Sequence, residues 1–295
     1  MVKKIFLLTL VISGAIQNGI AQKIKNAFFP LHNIIRGDST YDTFYKQVNL
    51  VKSTGFDAIE INGLENFEGM KAALEKFRFP ASYFYVRINL DEPYFESRLE
   101  GYIKQLKGSG TIISPYIVNK AKFVKGDHAA DTLVKRLMRQ VADWARNANL
   151  QVAIYPHLGY YVERTDHALT LIKSINRKNL GLTFNLCHWL ATTSIAERKE
   201  LKSTLRELRP FLKMITINGA NDVISEKQNV WADYILPLGT GNFDTYGLLK
   251  YCLKDLQLTV PVGVQCYNIQ TDKYRLVLTT MSVLKEYRQR LEAGN

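Results

Sequence analysis

The chain has 295 residues with 46% hydrophobic content, enough to build one large α/β domain or two small ones. Its three cysteines are too few for a disulfide scaffold, and a core of this size needs none. The formal net charge of +12 is spread along the chain, with no basic run interleaved with aromatics, no zinc-finger spacing and no helix-turn-helix signal. Nucleic acid is therefore not an expected partner, and the basic surface suits solvent, an anionic envelope or an anionic substrate.

The N-terminus reads as an export signal. Lys3 and Lys4 precede an apolar core at 5–12 that is too short to span a bilayer, and Gly19-Ile20-Ala21 forms a small-x-small cleavage site before Gln22. The competing readings are a buried N-terminal helix and a membrane anchor. No cysteine follows the apolar core to carry a lipid, and no later segment approaches the roughly 20 apolar residues of a membrane helix. The expectation is a signal at 1–21, a mature chain at 22–295 with no membrane anchor, and a periplasmic or extracellular location.

From there, short apolar runs alternate with amphipathic stretches. Strands are predicted at 27–33, 56–61, 81–88, 111–118, 151–157, 180–185, 214–218 and 260–266. Helices are predicted at 43–53, 66–77, 94–106, 127–149, 166–175, 204–212, 245–256 and 271–291. The plainest is 127–149, where Leu133, Leu137, Val141, Trp144 and Ala148 recur every three or four residues and Asp127 can cap the start. This rhythm is that of an α/β (β/α)8 TIM barrel in a single domain. An open doubly wound sheet is the alternative, but no G-x-G-x-x-G follows the first strand. Cys187, Cys252 and Cys266 allow one bridge at most and read more simply as small buried residues.

A TIM barrel places its chemistry at the C-terminal ends of the strands. Here those ends are polar: His32 and Asn33, Glu60 and Asn62, Arg87 and Asn89, Tyr155 and His157, Asn185 and His188, Thr216 and Asn218, Gln265 and Tyr267. Residues two apart on a strand share a face, so Tyr155 with His157, Thr216 with Asn218 and Gln265 with Tyr267 can each face the mouth together. Any one of these alone suits a structural role, but so many strand ends together point to a polar pocket. The loop 235–244 carries Gly239 and Gly241, whose turn either donates N–H groups to an anion or simply precedes a helix capped by Asn242 or Asp244.

The segments "GFDAIEI" at 55–61, "VAIYPHLG" at 152–159, "LGLTFNLCH" at 180–188, "MITINGA" at 214–220, "LPLGTGNFD" at 236–244 and "PVGVQCYN" at 261–268 carry a resemblance. In this order and spacing the chain resembles the xylose-isomerase-like TIM barrels, which include sugar phosphate isomerases and epimerases and metal-dependent apurinic endonucleases. In the epimerase branch, the resemblance implies one divalent metal held by Glu, Asp, His and Glu at the ends of strands five to eight. The two Glu also serve as acid and base. Carried over, these positions fall on Tyr155, Asn185, Thr216 and Gln265, while the flanking His157 and His188 are kept.

Hard cations such as Mg²⁺ or Mn²⁺ need oxygen ligands, usually charged ones, and Tyr, Asn, Thr and Gln bring no charge at neutral pH. No metal is therefore expected at this position, although Mn, Mg or Zn stays open as a cofactor. Without a metal, His157 and His188 are the candidate base and acid. Glu60 is a third titratable candidate, or a brace in the barrel, and Arg87 can meet an oxyanion. His32, Tyr155, Asn185, Thr216, Asn218, Gln265 and Tyr267 complete the expected substrate contacts. The expected partner is a small-molecule carbohydrate, and the expected function is isomerase, epimerase or lyase chemistry by proton transfer. The alternative is an inactive barrel that binds sugars or a protein partner. An apurinic endonuclease fits poorly, since that branch uses a larger set of His, Asp and Glu ligands. The oligomeric state is not set by the sequence.

Overall fold

The computed structural model describes residues 23–119 and 128–293. The predicted export signal and Asp127, the predicted helix cap, lie outside these residues. Among the described residues, no helix is long and apolar enough to cross a membrane.

Strict alternation of inward and outward side chains sets the architecture. The strands are β1 (Phe28–Pro30), β2 (Ile59–Asn62), β3 (Ala81–Asn89), β4 (Ile112–Val118), β5 (Val152–Ile154), β6 (Leu180–Asn185), β7 (Leu212–Ile217) and β8 (Val262–Val264). They form one eight-stranded sheet in the order β1-β8-β7-β6-β5-β4-β3-β2. All pairs are parallel, and β1 meets β8 in the register Phe28–Val262, Phe29–Gly263 and Pro30–Val264. Helices separate the strands, among them Phe44–Thr54, Phe67–Phe77, Asp131–Asn147, Thr165–Ile175 and Lys273–Ala293. The chain is thus the predicted TIM barrel, and the pairing of first strand with last excludes the doubly wound alternative.

The two ends of that order, β1 and β2, are joined largely through carboxylates. Asp57 N–H donates to the Phe28 carbonyl at 2.9 Å, and its carboxylate accepts the Phe28 N–H at 2.8 Å. One turn higher, Glu60 accepts the His32 N–H at 2.5 Å. The sequence alternative of Glu60 as a brace is therefore realised.

Alternation also splits the core in two. Phe29, Leu31, Ala58, Tyr83, Ile112, Ala153 and Met214 fill the barrel interior. Their strand neighbours, such as Phe28, Ile59, Phe84, Ile113, Val152, Ile154 and Ile215, face the helices and form the larger outer cluster. On β8 the inward position is Gly263, where a Cβ would meet Phe29 Cζ at 2.8 Å and Leu31 Cδ1 and Thr216 Cγ2 at 3.0 Å. Glycine there leaves the space that the Phe29 ring occupies.

Several boundaries differ from the sequence reading. Strand β5 stops at Ile154, because Pro156 has no N–H with which to continue the ladder. Strand β7 begins at Leu212, and the helix predicted at 204–212 runs Leu201–Leu208, since Pro210 does not sustain a helix interior. The long helix buries Val134, Leu137, Met138, Val141, Ala142 and Ala145, so Leu133 and Trp144 of the predicted stripe lie at its edge. An unpredicted helix, Leu186–Thr192, follows β6 directly. Its first five residues are all buried, so it has no polar face and hence no amphipathic period to detect. The three cysteines are free and buried. Burial pushes the Cys252 and Cys266 thiols up to about 12 and the Cys187 thiol higher still, so each is an inert core thiol.

Candidate functional site

The C-terminal ends of the strands open on a cavity of about 260 Å³. Glu60, Tyr155, His157, His188, Gln265 and Tyr267 all line it, as the sequence predicted. The pairs Tyr155 with His157 and Gln265 with Tyr267 do face the mouth together.

His157 and His188 lie side by side, with ring centroids 4.0 Å apart. His157 follows β5, and His188 sits in the first turn of helix Leu186–Thr192. Both contact the backbone of Leu158. The Leu158 carbonyl is 2.7 Å from His157 Nδ1, and a carbonyl only accepts, so His157 carries its hydrogen on Nδ1 and its lone pair on Nε2. The Leu158 N–H donates to His188 Nδ1 at 3.1 Å, so His188 carries its hydrogen on Nε2. Burial lowers the His157 pKa to about 4. Burial, and then the neighbouring His157, push that of His188 well below its ordinary value. Both rings are neutral at physiological pH, one presenting an acceptor and the other a donor.

Glu60 is 1% exposed. Burial raises its pKa, while hydrogen bonds from Asn62, the His32 N–H and Tyr83 pull the other way. Asn62 Nδ2 donates to Glu60 Oε1 at 2.8 Å, and Arg36 Nη1 donates to Asn62 Oδ1 at 2.9 Å. The amide thus links a buried carboxylate to an exposed cation.

The four positions that the resemblance assigns to a metal are inward-facing on consecutive strands. Asn185 pairs with Thr216, and Thr216 with Gly263, in the ladder. Three of them, Tyr155, Asn185 and Gln265, are already hydrogen-bonded to one another or to neighbouring groups. Asn185 Nδ2 donates to the Tyr155 hydroxyl, and Gln265 hydrogen-bonds the same hydroxyl. Asn185 Oδ1 accepts from Cys187 Sγ at 3.1 Å. Gln265 Oε1 accepts from Asn33 Nδ2 and from the Tyr267 N–H at 3.0 Å. The Thr216 hydroxyl is buried without a partner among the described residues.

Other predicted contacts fall elsewhere. His32 is buried under the mouth, where its Nε2 meets Gln47 Oε1 at 2.7 Å and burial lowers its pKa to about 4. It tethers a loop to helix Phe44–Thr54 and does not line the cavity. Asn185 and Thr216 lie one layer below it. Asn218 donates to the carbonyls of Gly219 and Tyr234 at 2.7 and 2.6 Å, which fixes the loop after β7 in place of a substrate. Arg87 is exposed and lines a neighbouring groove with Asn62, Glu65, Tyr85, Glu96 and Tyr116. In the 235–244 loop, a Cβ at Gly241 would meet the Ala220 carbonyl oxygen at 2.1 Å. Asp244 caps the following helix through Gly247 N–H at 2.8 Å, which is the capped-helix reading of this loop.

Tyr83, Tyr85, Tyr160 and Trp231 also line the cavity and were missed. Tyr83 and Tyr85 carried a usable signal, since they alternate inward with Arg87 on β3. Tyr160 comes from a loop and Trp231 opens the four-residue helix Trp231–Tyr234, too short to show a period. Tyr85, Tyr116, Tyr160 and His157 form a stacked column with successive centroids 4.3, 5.3 and 4.0 Å apart. The Trp231 ring stands edge-on to His188 at 5.0 Å.

Residues 48–264 match the family model described as xylose isomerase-like TIM barrel. A comparison with curated protein sequences gives no match. Among solved structures, IOLI protein with a binding zinc atom superposes with TM-score 0.70 at 17% identity, over 90% of this chain and 98% of that one. The 3-keto-D-glucoside 4-epimerase YcjR from E. coli gives 0.67 at 15% identity, over 90% and 100%. D-allulose 3-epimerase from Methylomonas sp., in complex with D-allulose, gives 0.67 at 15% identity, over 89% and 97%. At these identities the likeness is one of fold.

Proposed function

The chain belongs to the xylose isomerase-like TIM barrel family, and on that premise we propose that it binds a small carbohydrate at the barrel mouth and transfers a proton next to the sugar carbonyl. The observation that carries this reading is the Leu158 backbone, whose carbonyl and N–H hold two neutral imidazoles as one acceptor and one donor in a cavity also lined by the buried carboxylate of Glu60.

Burial reassigns the roles expected from sequence. A histidine lowered to about 4 is a weak base, whereas Glu60 is shifted towards working pH and is the better general base. Glu60 takes the proton from the carbon beside the carbonyl. The electron pair of that C–H bond forms the C=C bond of the enolate as the carbonyl π pair moves to the oxygen, which accepts a hydrogen bond from His188 Nε2–H. His157 Nε2 accepts from a neighbouring sugar hydroxyl. Return of the proton to the same carbon, once the enolate has turned its opposite face to Glu60, gives the epimer. Return to the neighbouring carbon gives the isomer when the hydroxyl proton passes to His157 Nε2 and the His188 Nε2 proton passes to the former carbonyl oxygen.

The donors at Tyr155, Asn185, Thr216 and Gln265 do not fit a hard divalent cation. They are neutral, and Tyr155, Asn185 and Gln265 are already committed to hydrogen bonds with one another and with Cys187, Asn33 and the Tyr267 N–H. No step is therefore assigned to a metal there. A binding-only role is the second reading, and one observation favours it: Glu60 already accepts hydrogen bonds from three groups. We further propose export, on the strength of the basic start, apolar core and small-x-small site at residues 3–21. An exported chain meets free sugars more readily than phosphorylated metabolites.

Calorimetric titration with free pentoses, hexoses and disaccharides tests the site. Saturation at one sugar per chain, lost in His188→Ala, supports it. Absence of binding across the panel, or binding unchanged in that variant, contradicts it.

A further inference from the structure

We propose that His128, Asp131 and His167 form a binding site for a divalent transition metal, zinc foremost, on the outer helical ring. The three residues come from two helices and the turn before one of them. Asp131 opens helix Asp131–Asn147, and His167 lies in the first turn of helix Thr165–Ile175. One ligand atom from each lies within 4.8 Å of the other two. His128 Nδ1 is 3.1 Å from Asp131 Oδ2, and His167 Nε2 is 2.8 Å from Asp131 Oδ1. In a tetrahedral zinc site, ligands about 2.0–2.2 Å from the ion stand roughly 3.3–3.5 Å from one another. The separations within the cluster, from 2.8 and 3.1 Å up to at most 4.8 Å, bracket that spacing.

The donor chemistry is that of zinc and not of magnesium or calcium. Two imidazoles and a carboxylate form a mixed nitrogen and oxygen set, whereas hard cations take oxygen alone. The carboxylate is also prepared. Burial alone would raise the Asp131 pKa, but His167, His128 and Tyr161 hold it below its ordinary value. The Tyr161 hydroxyl donates to Asp131 Oδ1 at 3.1 Å and accepts the Ala130 N–H at 3.0 Å. This is the kind of outer support that orients a metal-binding carboxylate. The His167 side chain is 9% exposed and that of His128 65%, so one side of the cluster is closed and the other admits water as a fourth ligand. In the metal-free protein the imidazole N–H groups point at Asp131. Zinc takes the place of those hydrogens, which move to the other ring nitrogens or are released.

None of these residues lines the mouth cavity, so the site is independent of the proposed sugar chemistry. Its role is a clamp between two helices that flank the 155–164 segment carrying His157 and Tyr160.

Titration of chelator-stripped protein with zinc, read by calorimetry and by the visible absorption of the cobalt(II) form, tests this. The expected result is one ion per chain. His128→Ala and Asp131→Asn each weaken binding at least tenfold. His128→Ala leaves the metal-free unfolding midpoint unchanged, because the side chain is exposed. His157→Ala binds zinc as the parent does. Three results overturn the proposal: no stoichiometric zinc, undiminished binding in both His128→Ala and Asp131→Asn, or loss of the ion in His157→Ala, which would place it at the mouth.

Discussion

His157 and His188 are held in opposite tautomers by the backbone of one residue: the Leu158 carbonyl accepts from His157 Nδ1, and the Leu158 N–H donates to His188 Nδ1. One backbone unit therefore decides which ring offers a lone pair and which a hydrogen. Burial keeps both uncharged.

That burial gives stability a defined pH dependence. His32 and His157 have folded values of about 4, and His188 lies well below its ordinary value. The unfolded chain takes up protons on these rings near pH 6.5, while the folded chain does not. Stability is therefore full above pH 6.5 and falls as pH drops towards 4, by on the order of 3 kcal/mol for each of His32 and His157, with His188 acting in the same direction. Glu60, raised by burial, has the opposite sign and offsets part of the loss. Urea unfolding at pH 7.5, 6.0 and 5.0 checks this. A flat profile contradicts neutral burial of the rings.

Glu60→Gln separates the base from the brace. Glutamine offers one acceptor oxygen where the carboxylate offers two, so a donor among His32 N–H, Asn62 and Tyr83 loses its partner. The cost is about 1–3 kcal/mol. Proton exchange should fall about 10²–10⁴-fold with sugar affinity largely kept. Loss of stability with exchange unchanged would leave Glu60 as a brace only.

The mouth should accept a divalent metal once the family's ligands are restored. The combined variant Tyr155→Glu, Asn185→Asp, Thr216→His and Gln265→Glu is expected to bind Mn²⁺ at a position the parent does not use. Titration of both proteins with Mn²⁺, followed by electron paramagnetic resonance, checks this. Equal binding by the parent at that position contradicts the donor argument.

Gly263→Ala tests the interior packing. The added methyl meets Phe29 Cζ at 2.8 Å, and overpacking of this kind costs about 1–3 kcal/mol. A thermal midpoint unchanged within error would mean that the Phe29 ring has room to yield.

The barrel was legible because strand and helix periods are local properties of the chain. The inward pairs Tyr155 with His157 and Gln265 with Tyr267 followed from the same alternation. What was hidden depends on three-dimensional packing. Helix Leu186–Thr192 has no polar face, so the position of His188 in its first turn was not visible. Tyr160 reaches the cavity from a loop, and Trp231 from a single helical turn, Trp231–Tyr234. Asn218 looked like a substrate contact, yet it spends both amide hydrogens on backbone carbonyls, which only folding reveals. The ranking of Glu60 above the histidines depends on burial, which a list of residue types does not supply.

The most direct test is proton exchange in heavy water. Chelator-treated protein is incubated in D₂O with each sugar it binds, and the hydrogen beside the sugar carbonyl is followed by NMR. The account predicts deuterium uptake at that carbon without added metal, and its loss in Glu60→Gln. A bound sugar that never exchanges, or exchanges only after Mn²⁺ is added, would contradict it.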